Sequence, residues 1–249
     1  RLEKDQALIN RLGFNNHGSE TVSRRISNNL PDGFLGINIG PNKETKNREE
    51  DYNICLSRLA KYASYITINI SSPNTEGLRD LHDQDEMKKL LSGLNKVIKE
   101  KKISCPLAIK ISPDINDNEI GKIVEIVSKY NIQGIVVSNT TDSNRNNLSD
   151  INRNESGGLS GQPLKDISTR LIKKFYSETK GEIKIIGVGG VDSAESAFEK
   201  IISGADAIQL YTGMVYKGPG VVKEIKKDLI SILKKENLKN ISEAIGINA

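Results

Sequence analysis

The sequence of 249 residues contains no tryptophan, and aromatic residues make up only 4% of it. Single-stranded nucleic acids stack their bases on aromatic side chains that lie among basic residues, and no such arrangement occurs here, so we expect no nucleic-acid partner. No apolar run is long enough to cross a bilayer. The net charge of +4 is spread over lysine-rich segments such as 99–102, which are typical of solvated helix faces.

Cysteine and histidine are equally scarce, with two residues of each. Cys55 and Cys105 lie in separate apolar patterns, so they form neither a disulfide framework nor a pair at metal-ligand spacing. We interpret both as small buried residues of a protein in a reducing compartment. His17 and His82 are isolated as well. The local sequence therefore predicts no metal site and no Ser-His-Asp triad.

Six strand-like runs alternate with helix-like segments, which is typical of a parallel sheet covered by helices. The strands are predicted at 34–39, 65–70, 107–111, 134–138, 183–187 and 207–210. The helices are predicted at about 19–28, 47–63, 84–101, 117–130, 164–179, 193–203 and 220–235. No G-x-G-x-x-G run follows an early strand, which disfavours a dinucleotide-binding sheet. The preferred fold class is therefore α/β, as a TIM (β/α)8 barrel.

Six strands are two fewer than such a barrel requires. At roughly 30 residues per βα unit, the two other strands need additional sequence before Arg1. The opening segment agrees with this interpretation, because a loop-like run at 10–16 precedes the first helix and no strand is evident there. We therefore predict one barrel domain over residues 1–249 that lacks its first two βα units.

The predicted strand at 65–70 places its isoleucines on one face and the polar residues Thr67 and Asn69 on the other. Ser72 lies just beyond the strand end, where Pro73 prevents further pairing. Reactive groups of parallel α/β barrels lie at these carboxyl ends. The alternation thus predicts a polar lining at the barrel mouth, although a turn that uses Ser and Asn for its own hydrogen bonds has the same sequence.

Neighbouring strands repeat this inversion of the usual pattern. Asn38 shares its face with glycines, and Lys110 faces inward because Ile109 and Ile111 face outward. A lysine inside a barrel loses hydration unless an anion or an acceptor faces it. The predicted strands offer no carboxylate there, so we expect a ligand that carries or develops negative charge. The alternative is that Lys110 extends to solvent at the strand end.

Glycine-rich strand ends complete the pattern. Gly187–Gly190 and Tyr211–Gly213 end the strands that would be seventh and eighth in a barrel, where backbone amides commonly bind phosphate. Gly157–Gly161 ends a polar loop and either approaches the same ligand or is a flexible tip. Ser138–Thr141 adds hydroxyl and amide groups at another strand end.

In this order and spacing, the motifs from Asn10 to about Lys223 resemble the dihydroorotate dehydrogenases, specifically the quinone-linked, membrane-associated class 2. That family oxidises dihydroorotate to orotate on FMN, within pyrimidine biosynthesis, and passes the electrons to a membrane quinone. The resemblance implies a peripheral location on the cytoplasmic side of a bacterial inner membrane, or on the mitochondrial inner membrane in a eukaryote. Membrane contact would come from an N-terminal helical extension that this sequence does not contain.

The resemblance also implies a role for each motif residue. Ser72 would be the base that removes the C5 proton of the substrate while hydride leaves C6 for the flavin; class 1 enzymes have cysteine there. Because a serine is a poor base, we hypothesise a proton relay through a neighbouring hydroxyl or water. Residues near FMN would be Asn38, Asn69, Lys110, Ser138, Gly161, Gly190, Tyr211 and Thr212. Residues that hold the substrate would be Asn10, Arg11, Leu12, Gly13, Phe14, Asn69, Asn74, Asn139 and Thr140. The segment Pro73–Leu81 would close over the substrate as a lid.

Three alternatives stay open at this stage. Another FMN-dependent barrel oxidoreductase, such as a dihydropyrimidine-type reductase or a tRNA dihydrouridine synthase, generally has a catalytic cysteine in the loop that contains Ser72. An inactive or split-gene remnant of the family would bind no flavin. A barrel that binds a phosphorylated sugar would explain Gly187–Gly190 but would leave Lys110 without a role.

Overall fold

The computed structural model describes residues 1–75, 77–143 and 145–249. The strands of these residues form a two-stranded and a six-stranded sheet. The strands are β1 (Ala7–Asn10), β2 (Gly36–Ile39), β3 (Tyr65–Asn69), β4 (Leu107–Lys110), β5 (Gly134–Val137), β6 (Gly158–Gly161), β7 (Lys184–Val188) and β8 (Ala207–Gln209). The helices are α1 (Gly18–Asn28), α2 (Arg48–Leu59), α3 (Gln84–Lys101), α4 (Asp117–Lys129), α5 (Lys165–Thr179), α6 (Ala194–Ile202), α7 (Thr212–Lys217) and α8 (Val221–Lys235).

The larger sheet is parallel throughout, in the order β2-β3-β4-β5-β7-β8. Its outer face is apolar, as the alternation predicts. Ile66 and Ile68 of β3 are completely buried and belong to the main hydrophobic core, together with Leu56 of α2 and Leu91 of α3. Burial of this face beneath the helices drives the sheet and helix layers together.

The inner face of the sheet carries the polar residues in register. Asn38 of β2 pairs with Thr67 of β3, and Asn69 of β3 pairs with Lys110 of β4. Side chains at paired positions of parallel strands point to the same face. The predicted convergence of Asn69 and Lys110 on one face is therefore confirmed.

The larger sheet is strongly curled. Nε2 of Gln209 on β8 donates a hydrogen bond of 2.8 Å to the Tyr65 hydroxyl on β3. Three strands separate β3 from β8 in the sheet order, so a flat sheet would hold these side chains far apart. The curl is the barrel-like curvature that the sequence predicts, with β2 and β8 as the edges.

The boundaries predicted from sequence agree closely for the larger sheet, and the prediction for α3 matches its observed ends. The predictions were wrong for the smaller sheet. Asn10 ends strand β1 rather than beginning a loop, and Gly158–Gly161 forms β6, which pairs antiparallel with β1. Each strand has only four residues, and the partners are distant in sequence, so local periodicity could not reveal them. The short helix α7 was also missed.

Two smaller apolar clusters stabilise the ends of the structure. Leu2, Ala7, Leu148 and Leu159 pack beneath the β1–β6 sheet. The other cluster joins α6 to α8 and comprises Val191, Ala197, Val221 and Ile225. Within the three described ranges, no helix combines the length and apolarity needed to cross a membrane.

Candidate active site

The carboxyl ends of β3 and β5 are joined by an amide and hydroxyl network. Nδ2 of Asn139 donates to Oδ1 of Asn69 at 3.2 Å and to Oγ of Ser71 at 3.0 Å. Oδ1 of Asn69 also accepts from the Ser71 backbone amide at 3.2 Å. Asn69 and Ser71 are buried, so these hydrogen bonds satisfy polar groups that water cannot reach. The network fixes the orientation of both asparagine side chains.

Ser72 lies immediately after this network and is only 7% exposed. Its Oγ accepts a hydrogen bond of 3.2 Å from the backbone amide of Asn74. No imidazole or carboxylate of the described residues forms a hydrogen bond with this hydroxyl, so a triad-type activation is absent among them. The hydroxyl of Thr75, three residues further, is buried and has no hydrogen-bond partner in the described part of the chain.

The segment 10–14 leads from the β1–β6 sheet toward the loop that follows β3. We call residues 71–75 of that loop, which include Ser72, the serine loop. Nδ2 of Asn74 donates to Oδ1 of Asn10 at 3.2 Å. A Cβ atom at Gly13 would lie 3.8 Å from the Asn74 carbonyl oxygen, and one at Gly40 would lie 3.2 Å from the Phe14 ring. The structure therefore brings the backbone of this segment against the end of β2 and the loop after β3.

Arg11 and Leu12 were predicted to contact substrate, but their side chains point elsewhere in this structure. The Arg11 guanidinium pairs with Glu155 at 3.2 Å on the surface, and Leu12 is 60% exposed. Only the backbone of these two residues lies in the segment that approaches Asn74. Their assignment to the substrate site stays a prediction.

Lys110 and the end of β5 line a cavity of about 260 Å³. Loss of hydration lowers the pKa of Lys110 to about 8. Within the described ranges its ammonium group makes no hydrogen bond and no ion pair. Ser138, Asn139 and Thr140 lie on the same wall, so the cavity presents one cation beside neutral hydrogen-bonding groups.

The glycine-rich segments line the same cavity. A Cβ atom at Gly161 would lie 2.4 Å from the Gln6 carbonyl oxygen, and one at Gly190 would lie 2.5 Å from Cβ of Lys165. These approaches leave room only for glycine. Thr212 begins the short helix α7, and its hydroxyl donates to Ser160 at 2.8 Å, while Tyr211 is 65% exposed.

These residues fit FMN by their chemistry. The unpaired ammonium of Lys110 suits the electron-accepting polar edge of a flavin, and closely packed glycine backbone beside the Thr212 hydroxyl suits a phosphate. The predicted FMN residue Asn38 does not line this cavity. It lies with Phe14 and Gly40 in a separate open cavity of about 720 Å³, next to the edge strand β2.

Sequence reasoning missed an arginine-centred network beside the site. Arg79, in the segment predicted as a lid, pairs with Asp114 at 3.0 Å and with Asp142 at 2.9 Å. Its Nη2 also donates to the Thr140 carbonyl at 3.2 Å. Burial raises the pKa of Asp114. Burial also acts to raise the pKa of Asp142, but the hydrogen bond and the charge of the Arg79 guanidinium outweigh it, so the pKa of Asp142 lies below its ordinary value. An arginine in a loop has no periodic signal, which explains the omission.

His82 completes the attachment of this segment. Its Nδ1 donates to the Arg79 carbonyl at 2.9 Å, and its Nε2 accepts from the Ser112 backbone amide at 3.2 Å. A ring that donates with one nitrogen and accepts with the other is neutral. Burial accordingly lowers the pKa of His82.

Comparison with known proteins identifies the family. A family model described as dihydroorotate dehydrogenase matches residues 1–233. A dihydroorotate dehydrogenase (quinone) of Bartonella tribocorum is 42% identical over 247 residues, which cover 98% of this chain and 69% of the relative. The dihydroorotate dehydrogenase (quinone) of Christiangramia forsetii is 43% identical over 232 residues, which cover 92% of this chain and 68% of the relative.

Solved structures show the same architecture. The crystal structure of DHODH from Eimeria tenella in complex with ferulenol superposes with a TM-score of 0.93 at 34% identity, covering 100% of this chain and 73% of that chain. A ligand-free structure of DHODH from the same organism gives a TM-score of 0.94, and the superposition covers 100% of this chain and 76% of that chain. These shares agree with a chain that contains six strands of an α/β TIM barrel. The chain belongs to the dihydroorotate dehydrogenase family, and within it to the quinone-linked oxidoreductases.

Proposed function

We propose that this protein oxidises dihydroorotate to orotate on FMN and passes the electrons to a membrane quinone. The observation that carries the proposal is the shared site of four groups from three adjacent strands. Asn69 and Lys110 are paired in register on the inner face, and Ser72 and Asn139 follow at the strand ends. A serine, a cation and a set of amides match an anionic pyrimidine substrate and its deprotonation.

FMN, when bound, supplies the acceptor for the hydride that leaves C6. Lys110 would hold the polar edge of the flavin, with Asn69 and Ser138 nearby, and Asn38 would complete the contacts on the β2 side. Gly161, Gly190, Tyr211 and Thr212 would surround the phosphate. The cavity that Lys110 and Ser138 share with the glycine-rich strand ends supports the assignment of these residues, whereas Asn38 and Asn69 do not line it.

Ser72 would accept the C5 proton of dihydroorotate through its Oγ. A hydroxyl is a weak base, and no histidine is bonded to it in the described residues, so the proton must move on as it arrives. We assign this relay to the buried hydroxyl of Thr75, three residues along the chain, because it forms no hydrogen bond within the described structure. An ordered water could serve the same purpose.

The asparagine side chains would bind the pyrimidine ring and its carboxylate. Oδ1 of Asn69 is already saturated by its hydrogen bonds, but its Nδ2 donates to no group of the described residues. Asn74 likewise keeps its Oδ1 unused within those residues while its Nδ2 contacts Asn10. Alternating donors and acceptors of this kind complement the N–H and C=O groups of a pyrimidine ring. Thr140, with the backbone of residues 10–14, would add further contacts.

Quinone is dissolved in the bilayer, so the second half-reaction would occur at a membrane surface. We place it at the cytoplasmic side of a bacterial inner membrane, or at the mitochondrial inner membrane in a eukaryote. The family's N-terminal helical extension would provide the membrane contact.

The test is anaerobic reduction of the full chain reconstituted with FMN. Addition of dihydroorotate should bleach the flavin absorbance, and a soluble quinone should restore it with release of orotate. Dihydrouracil serves as the comparison substrate. Faster flavin reduction by dihydrouracil than by dihydroorotate would favour a dihydropyrimidine-type reductase. A protein that takes up no FMN would contradict the proposal and favour an inactive remnant.

A further inference from the structure

Arg79 joins three loops that end adjacent strands. Its guanidinium pairs with Asp114 in the segment after β4 and with Asp142 in the segment after β5. It donates to the Thr140 carbonyl at 3.2 Å, and its Nε lies 3.5 Å from the Ser71 carbonyl oxygen. One side chain therefore contacts the loop of Ser72, the loop of Asn139, and the strand end between them.

The surroundings of Arg79 hold it in one orientation. Its side chain is 25% exposed and that of Asp114 is 22% exposed, so this pair is largely shielded from solvent screening. Thr141 donates its hydroxyl to the other oxygen of Asp114. His82 anchors the Arg79 carbonyl from one side and the Ser112 amide from the other. Planar guanidinium groups bind two carboxylates with defined geometry, which an ammonium group cannot reproduce.

We propose that Arg79 is a positioning residue that sets Ser72 and Asn74 in register with Asn139 and Thr140 for proton removal. This inference rests on the proposed function. Arg79 does not line the cavity of Lys110 and the glycine-rich segments, so its effect is on geometry rather than on FMN binding. Removal of its side chain would break the ion pairs to the segments after β4 and β5, while the Asn139 contacts to Asn69 and Ser71 and the His82 contact to Ser112 would remain.

The experiment compares Arg79→Met, Arg79→Lys and a matched control, Arg170→Met, in the FMN-loaded full chain. Arg170 also pairs with an aspartate, Asp117 at 2.9 Å, but it lies on α5, and within the described residues its guanidinium bonds to neither the loop of Ser72 nor that of Asn139. The limiting rate of anaerobic flavin reduction, the substrate concentration at half the limiting rate, and the FMN affinity are measured for each. Hydrogen–deuterium exchange of residues 71–83 is measured without substrate.

We expect Arg79→Met to lower the limiting rate by about a hundredfold, the scale of a misplacement of about 1 Å. FMN affinity should be unchanged, exchange in the serine loop should rise, and Arg79→Lys should restore part of the rate. Arg170→Met should behave as the unmodified chain. A normal limiting rate in Arg79→Met, an equal loss in Arg170→Met, or a loss confined to FMN affinity would overturn the inference.

Failure of the proposed function gives a different result. The unmodified chain would then show no reduction by dihydroorotate at all. If dihydroorotate reduces the flavin of the unmodified chain and the rate is the same in Arg79→Met, only the role of Arg79 is rejected.

Discussion

Nδ2 of Asn139 donates to Oδ1 of Asn69 at 3.2 Å, which joins the end of β5 to the end of β3 across the intervening strand β4. The same Nδ2 reaches Ser71, whose side chain is completely buried. One amide group therefore links the two strand ends that contain the proposed substrate residues.

Replacement of Asn139 by alanine should break this link. Ser71 would lose its donor and Asn69 one of its donors, at a cost of about 1–3 kcal/mol in the free energy of unfolding. Orotate affinity should fall more than FMN affinity, because Lys110 and the glycine segments stay in place. Urea unfolding and titration of the flavin absorbance with orotate measure the two effects, with exposed Asn28→Ala as the control. Equal losses for the two ligands would argue against a substrate role.

Replacement of Ser72 by alanine should slow flavin reduction by orders of magnitude, because the proposed base for the C5 proton is removed. FMN binding should persist, since Ser72 does not line the cavity of Lys110. Stopped-flow reduction under anaerobic conditions measures the rate, and exposed Ser177→Ala serves as the control. An unchanged rate in the Ser72 variant would show that another group is the base.

Lys110 should give two opposite pH dependences. Its pKa falls from 10.5 to about 8 on folding, so between these values the unfolded chain binds more protons than the folded chain. Stability of the FMN-free protein should therefore rise with pH across this window. FMN affinity should fall as pH rises through about 8, because the neutral amine no longer attracts the flavin edge.

The Lys110→Met variant isolates this effect. Burial also lowers the pKa of Lys200 to about 8, and the difference between the variant and the unmodified chain removes that contribution. Urea unfolding and flavin fluorescence should show both pH-dependent steps weakened in the variant. Identical pH profiles in the two proteins would refute a titrating role for Lys110.

Gly190→Ala should abolish FMN retention, whereas Gly218→Ala should preserve it. Both glycines have left-handed backbone, with φ of 69° and 79°. An added Cβ therefore costs about 1–3 kcal/mol of strain at either position. Only at Gly190 would the Cβ also collide with Lys165, at 2.5 Å, since nothing lies within 4 Å of the corresponding atom at Gly218. Flavin retained after gel filtration is the measurement. Equal retention by both variants would separate this loop from the phosphate site.

Tyr52→Phe should lower stability by about 1–3 kcal/mol through loss of one buried hydrogen bond. Tyr52 is completely buried, and its hydroxyl donates to the Asn69 carbonyl at 2.6 Å. Tyr130→Phe is the control, because the Tyr130 hydroxyl forms no hydrogen bond within the described residues. The free energy of unfolding in urea is measured for both, and a smaller loss at Tyr52 than at Tyr130 would contradict the expectation.

Much of the larger sheet was predictable because its information is local. Alternation in β3 placed Ile66 and Ile68 outward and Asn69 inward, and the structure buries the isoleucines in the core while pairing Asn69 with Lys110. A shift of one residue would turn every side chain of a strand to the opposite face. Because one face must be buried in the core, only one orientation of the strand is stable. The same alternation predicts the inward direction of Lys110, whose ammonium group is indeed desolvated by burial.

The site geometry was less predictable, because its contacts join distant residues. Asn10 and Asn74 are 64 residues apart in sequence, and β1 meets β6 from the other half of the chain. Arg79 could not be recognised from sequence, since its two carboxylates lie on separate loops that only the sheet order brings together.

The sequence by itself determined the alternation of strands and helices, the inward direction of the polar residues, and the glycines at the strand ends, because each follows from side-chain period and backbone sterics. Tertiary structure alone decided which loops meet above the sheet, since curvature and strand order set those distances. The contacts of Ser71, next to Ser72, with Asn139 and Arg79 are a property of that assembly rather than of any local pattern.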